Sequence, residues 1–222
     1  MNRIYLNILF LLILVAAVTS CKKDDPKFDN TKMVSIYDVT YDENAEITTA
    51  FAQFRNGETS EVLELHQEAK LRYNGDTMKY VEDISAYVVQ YFGGQIVTGS
   101  FSLTLETGEV YLNQSPISEP IFFEPTLDTI PQFEPFTVLW LGAPLGEDQR
   151  VEMILSEEKF SQTVVGSNTL LLDDAVLRKI NIGVIPAYME RTIRLPLTEG
   201  TAAGGQITAK YRAKDATVTL IP

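Results

Sequence analysis

The residues that could do chemistry are few. The chain has one cysteine, Cys21, and one histidine, His66. A lone cysteine makes no internal disulfide and no paired-thiolate metal site. A lone histidine without cysteine partners is a poor start for zinc. His66 could still join a Ser-His-Asp set, whose members meet in space and not in sequence. No Gly-x-Ser-x-Gly elbow accompanies it, however, and His66 reads as an exposed strand-end residue. Adjacent carboxylates occur at Asp24-Asp25, Glu157-Glu158 and Asp173-Asp174. Glycoside hydrolysis needs two carboxyls ~5–10 Å apart across a cleft. Sequence neighbours on a strand point to opposite faces, so adjacency does not supply that pair. No Asp-x-Asx-x-Asx-Gly calcium loop is present, and Gly93-Gly94 and Gly204-Gly205 lack the lysine of a phosphate cradle. The reading is therefore no catalytic residue, no cofactor and no metal set. The aromatic side chains remain, with Trp140 and Tyr91 as candidates for an exposed ligand platform, because such rings carry binding hot spots.

Cys21 has a different use. Residues 4–18 are apolar except for Tyr5 and Asn7, follow a short start with one positive charge at Arg3, and end in Val18-Thr19-Ser20-Cys21. That is the build of a signal-peptide core and is short for a membrane span. The four residues resemble a bacterial lipobox, which implies cleavage before Cys21 and lipid on its sulfur. Two or three acyl chains anchor a protein durably where one does not. Lys22-Lys23-Asp24-Asp25 follow at once. They resemble the export signal of Bacteroidota surface lipoproteins, which implies a place on the outer face of the outer membrane. Asp76-Thr77-Met78 and Asp128-Thr129-Ile130 resemble the Bacteroidota O-glycosylation signal, which makes Thr77 and Thr129 candidate glycan acceptors.

Removing twenty residues from 222 leaves 202, and losing Arg3 moves the formal charge from −12 to −13. A chain that acidic repels phosphate backbones, so nucleic acid is not an expected partner. The membrane contact is assigned to the lipid on Cys21.

The elements that must position any site read as strands. Residues 22–32 are charged and polar, a tether. Phe101, Leu103 and Leu105 alternate with Ser102, Thr104 and Glu106, the period of a half-buried strand. Residues 46–55 and 84–92 are further strands. Ala69, Leu71 and Tyr73 lead into Asn74-Gly75, a strong hairpin signal, and Thr107-Gly108 marks a second hairpin. Five of the ten prolines fall between Pro116 and Pro135. Proline lacks the N–H that a ladder needs, so this segment is expected to hold a domain boundary, with Ile121-Phe122-Phe123 as an edge strand. Beyond it, the Phe136–Trp140, Val151–Leu155 and Met189–Leu197 stretches alternate, the last with Pro196 pointing to an edge. Residues 207–211 are expected to pair with 218–220 as a hairpin across Lys214-Asp215. Asp173 or Asp174 caps a short helix carrying Val176, Leu177 and Ile180. The expectation is an all-β protein of two tandem antiparallel immunoglobulin-like sandwiches: signal peptide 1–20, tether 21–32, first domain 33–120, second domain 121–222.

The first domain carries the strings ITTAFAQFRNG, LELHQEAKLRYNGDTM and GSFSLTLETGEVYLN. Phe54, Arg55, Gly57, Leu63, Glu64, Leu65, Asn74, Gly75, Gly108, Tyr111 and Asn113 resemble the pattern of a recurring domain in uncharacterised Bacteroidota surface lipoproteins. The resemblance covers residues 33–115 and departs from the pattern at His66, where the relatives often have serine. It implies an address and a fold, with no activity. The function expected is a non-catalytic binding or scaffolding module for a glycan or protein ligand. A secreted-face hydrolase and a periplasmic structural subunit of an envelope complex are the alternatives.

Overall fold

The computed structural model describes residues 29–222, so the lipidation residue Cys21 and the Lys22, Lys23, Asp24 and Asp25 signal lie outside the described residues. The described chain is all-β apart from short helical turns. The first strands in chain order are β1 (Met33–Asp42), β2 (Ile47–Asn56), β3 (Val62–Leu63), β4 (Lys70–Tyr73), β5 (Asp76–Thr77) and β6 (Lys79–Val81). Next come β7 (Ala86–Phe92), β8 (Ser100–Thr104), β9 (Val110–Gln114), β10 (Ile121–Phe123), β11 (Thr129–Pro131) and β12 (Phe136–Gly142). The chain continues through β13 (Gln149–Leu155), β14 (Glu158–Gln162), β15 (Thr169–Leu172) and the single-turn helix α1 (Asp174–Leu177). It closes with β16 (Gly183–Pro196), β17 (Gly205–Arg212) and β18 (Ala216–Ile221).

Local signals explain many of these elements. In β1 every odd residue from Met33 to Tyr41 is buried and every even one is partly exposed, the period-two pattern of a strand with one face on a core. Asn74 and Gly75 both have positive φ (51° and 87°), the condition for a tight turn matched to strand twist, and they join β4 to β5. The Asp173 carboxylate accepts from the Ala175 N–H at 2.8 Å and caps α1, which buries Leu177, with Ile180 buried just beyond it.

Three sheets result. The largest runs β11-β18-β16-β17-β1-β2-β7-β6, with β13 and β14 added alongside β16 and β3 alongside β2. A four-stranded sheet, β5-β4-β8-β9, and a three-stranded sheet, β10-β12-β15, complete the fold. The four-stranded sheet packs on β1 through aromatic rings: Phe101 of β8 stacks on Tyr37 at 4.4 Å between centroids, backed within its own sheet by Tyr73 of β4 at 4.8 Å. The three-stranded sheet packs on β13, β16 and β18, where Trp140, Val138 and Leu170 share one core with Met153, Met189 and Leu220.

The division expected at residue 120 is crossed by the main sheet. β1, near the start of the described chain, pairs in parallel with β17, near its end, from Ser35↔Gly205 to Asp42↔Arg212. Thr31–Pro222 form one compact unit. The proline segment does supply edge strands, β10 and β11, as proline chemistry requires.

The hairpin expected between residues 207–211 and 218–220 does not form. β17 and β18 instead follow one another along the same edge of β16, both antiparallel to it. Glu190 faces Arg212 and Ala187 faces Ala216, so one strand advances three residues while the other advances four, which is a bulge. Arg212 holds both carboxylate oxygens of Asp215 at 3.1 Å, and the Asp215 N–H donates to Asn44 at 2.7 Å, so Lys214-Asp215 serves as the bulge. β16 is also no edge strand: Pro196 is its last residue and pairs with Gln206, and Pro186 lies where β13 has not yet begun to pair.

The β1–β17 contact opens with a close backbone approach. A methyl built on Gly205 would lie 2.0 Å from the Ser35 carbonyl oxygen. Gly205→Ala must therefore push β1 from β17 at that end. We expect a loss of ~1–3 kcal/mol, read from the urea midpoint.

Candidate functional site

Alternation assigns the even residues of β13, β16 and β17 to the face away from the core, since Val151, Met153, Leu155, Met189 and Tyr211 are buried on the other side. Register then does what alternation cannot. It places Glu152 opposite Glu190, Glu190 opposite Arg212 and Arg212 opposite Asp42, one row across four strands. The next row is Arg150, Thr192, Lys210 and Thr40.

Within this patch lies a cleft of about 320 Å³ lined by Glu152, Ile154, Tyr188, Met189, Glu190 and Arg212. That is near the small end of the range for ligand clefts, ~300–1,000 Å³. The Glu152 side chain is only 5% exposed although it points away from the core. Arg150 and Lys159 each reach its Oε2 at 3.3 Å. The Arg212 guanidinium lies over the Tyr188 ring, 5.1 Å from its centroid. Lys210 is paired with Asp38 at 2.9 Å.

Two carboxyls directly opposite one another on neighbouring strands repel if both are ionised. Glu152 and Glu190 face each other in this way, so the charge of Glu152 disfavours ionisation of Glu190. Glu190 is the group pushed above the usual carboxylate range: burial is the main cause, the charge and hydrogen bond of Glu152 add to it, and Lys210 and Lys159 oppose it. An acid whose folded pKa exceeds its unfolded value binds more protons when folded, so its contribution to stability falls as pH rises through that window. Glu190→Gln keeps a hydrogen-bond donor without the ionisation. We expect the variant's stability to change less than wild type's between the ordinary carboxylate pKa and neutrality, checked by urea unfolding across pH.

Several polar atoms in the patch are unspent. Arg150 Nε, Thr192 Oγ1 and Arg212 Nε are buried and have no hydrogen-bond partner within the protein. The cleft thus offers apolar walls, carboxyl acceptors and one guanidinium, that of Arg212.

The residues singled out by sequence go elsewhere. Trp140 is no ligand platform: it is 1% exposed, inside the core, with its indole N–H donating to the Ala143 carbonyl at 3.3 Å. The β12 alternation that predicts a strand also turns position 140 inward. Tyr91 is partly exposed, but its hydroxyl donates to the Tyr73 carbonyl and the Asp76 carboxylate, both at 2.9 Å. Burial first, then Asp76, push this phenol up to about 12. The rings left exposed include Phe92, Phe133 and Phe122. His66 is exposed and its Nδ1 lies 3.2 Å from Glu106. Thr77 and Thr129 are exposed, while the residues after them, Met78 and Ile130, are buried. Among the described residues no group of three or more His, Cys, Asp or Glu could hold a metal ion, and no helix is long and apolar enough to cross a membrane. Apart from the core-facing Met189, the cleft residues were visible in sequence only as outward-facing positions of strands.

No family model and no curated protein matches the chain. Among solved structures, it is similar to a Ca²⁺-stabilized adhesin with which an Antarctic bacterium binds ice, at 13% identity and a TM-score of 0.26, over 85% of this chain and 49% of that one. A 1.5-MDa bacterial ice-binding adhesin, from work on its retention at the host cell surface, gives 13% identity and 0.25, over 85% and 66%. The Yersinia pseudotuberculosis adhesin InvE gives 9% and 0.23, over 87% and 60%. The chain therefore spans about half to two thirds of these proteins. The TM-scores are too low to equate the folds.

Proposed function

We propose that this protein is a lipid-anchored lipoprotein of the outer-membrane surface that binds a glycan or protein ligand and performs no chemistry on it. The cleft at Glu152, Tyr188, Glu190 and Arg212 is the ligand site. The observation that carries this reading is the Glu152 carboxylate, held 95% buried on the face away from the core in a cleft that also presents Tyr188, Glu190 and Arg212. Lipid on Cys21 would supply the membrane contact, and Lys22–Asp25 the outward address. Thr77 and Thr129 are proposed as glycan acceptors, since their hydroxyl-bearing residues face solvent; intact mass of the native protein checks this.

The test has two arms. Protease shaving of intact cells, with a periplasmic marker as control, should remove the chain if it faces outward. Pull-down and glycan-array binding by the wild-type chain should be lost in a Tyr188→Ala, Glu190→Ala double variant that keeps the wild-type melting curve. Retention of ligand by that variant would rule out the cleft, and protection from protease would rule out the outward address.

A further inference from the structure

The chain from the proposed anchor enters the fold at one end of β1, and the proposed cleft meets the other end. β1 begins at Met33, directly after the segment that carries Cys21. The cleft row meets β1 at its last residue, Asp42, through Arg212 and Glu190. Nine steps at roughly 3.3 Å put about 30 Å of strand between the two points. A pull between anchor and ligand therefore runs along β1.

β1 is bonded on both edges for nearly all of that length. All ten of its residues pair with β2, from Met33↔Asn56 to Asp42↔Ile47, and Ser35 to Asp42 pair with β17. Lengthwise tension on a strand flanked this way must shift its whole hydrogen-bond ladder at once. An edge strand such as β6 or β14 would meet the same pull with one ladder in place of two. Side chains add staples across the β1–β17 seam: Asp38 to Lys210 at 2.9 Å on the outer face, and Tyr41 against Tyr211 with centroids 5.4 Å apart on the inner one.

We infer that this chain has a mechanical function: β1, clamped between β2 and β17, carries tension in shear between the membrane anchor and a ligand held in the cleft. The inference rests on the anchor and cleft assignments proposed above.

Single-molecule force spectroscopy on the unlipidated chain from Cys21 onward tests it. One handle goes on Cys21. In a lengthwise geometry the second goes on Glu157→Cys, an exposed turn residue just past the cleft along the strand direction. In a same-end geometry it goes on Gly200→Cys, an exposed position in the loop that leads into β17, where an added side chain makes only ordinary contact. Pulling there separates β1 from β17 one pair at a time from the Ser35↔Gly205 end. Both variants should melt as wild type does. At equal force the lengthwise lifetime is expected to be at least about tenfold longer, because several backbone hydrogen bonds must break together. Equal or shorter lifetimes in the lengthwise geometry would overturn the clamp. The measurement involves no ligand and no membrane, so its failure is separate from failure of the binding reading.

Discussion

Arg191→Ala is expected to lower the stability of the fold by about 3–5 kcal/mol, the range for stripping a buried charged hydrogen-bonding group from its partners. The Arg191 side chain is 1% exposed. Its Nη1 donates to the Ala143 carbonyl at 2.9 Å, and its Nη2 donates to the Pro144 carbonyl at 2.7 Å and to Gln149 Oε1. Nε also donates to Gln149 Oε1 at 3.1 Å, and Glu119 pairs with Nη2 at 3.2 Å. Burial pulls the guanidinium below its usual range, and the Glu119 carboxylate opposes that shift. Arg191 thus fastens the turn before β13 and the proline segment to β16. The Ser118 hydroxyl strengthens the second attachment by donating to the Arg191 carbonyl at 2.9 Å. Glu119, half exposed, can rehydrate when the arginine goes; the loop carbonyls cannot do so as easily. In a unit of this size the melting temperature should fall by roughly 10 °C. Urea unfolding followed by circular dichroism measures it, and Arg191→Lys, which retains charge but not the fork, should recover only part of the loss.

Phe101→Ala should cost about 3–5 kcal/mol, the range for deleting a buried aromatic ring. Phe101 is fully buried between Tyr37 and Tyr73 and joins the four-stranded sheet to the main one. The more informative expectation concerns Trp140, which sits in the other core and is the chain's one tryptophan. If the two cores were independent, its fluorescence transition would ignore a change at Phe101. Because β1 contributes to both, with Tyr41 in the Trp140 core and Tyr37 stacked on Phe101, the transition should shift to lower urea together with the circular dichroism signal. Two separated transitions would restore the two-domain division expected from sequence.

That contrast shows where sequence reading stops. Alternation over Met33–Tyr41 or Phe101–Leu103 reports which side chains face a core, because the backbone pleat fixes a period of two. Asn74-Gly75 reports its turn because few residues adopt positive φ twice in succession. Asp173 reports a helix start because a carboxylate satisfies N–H groups that the helix leaves free. Each of these is settled within a few residues. The meeting of Glu152 with Glu190 and Arg212 is not, since it depends on strand register. A shift of two residues would leave the alternation intact and remove the row. The in-line path of β17 and β18 likewise turned on Asp215 finding Asn44 and Arg212, while Val218 and Leu220 would have suited a hairpin equally well.

By itself, then, the sequence determined an all-β chain, its strand faces and turns, and a cysteine with no partner for disulfide chemistry, all from local geometry and composition. Long-range pairing alone placed the first described strand beside one of the last and brought two distant glutamates into one cleft. Those outcomes depend on which distant strands pair and in what register. Packing and backbone hydrogen bonding choose among many pairings that one pattern of alternation allows equally.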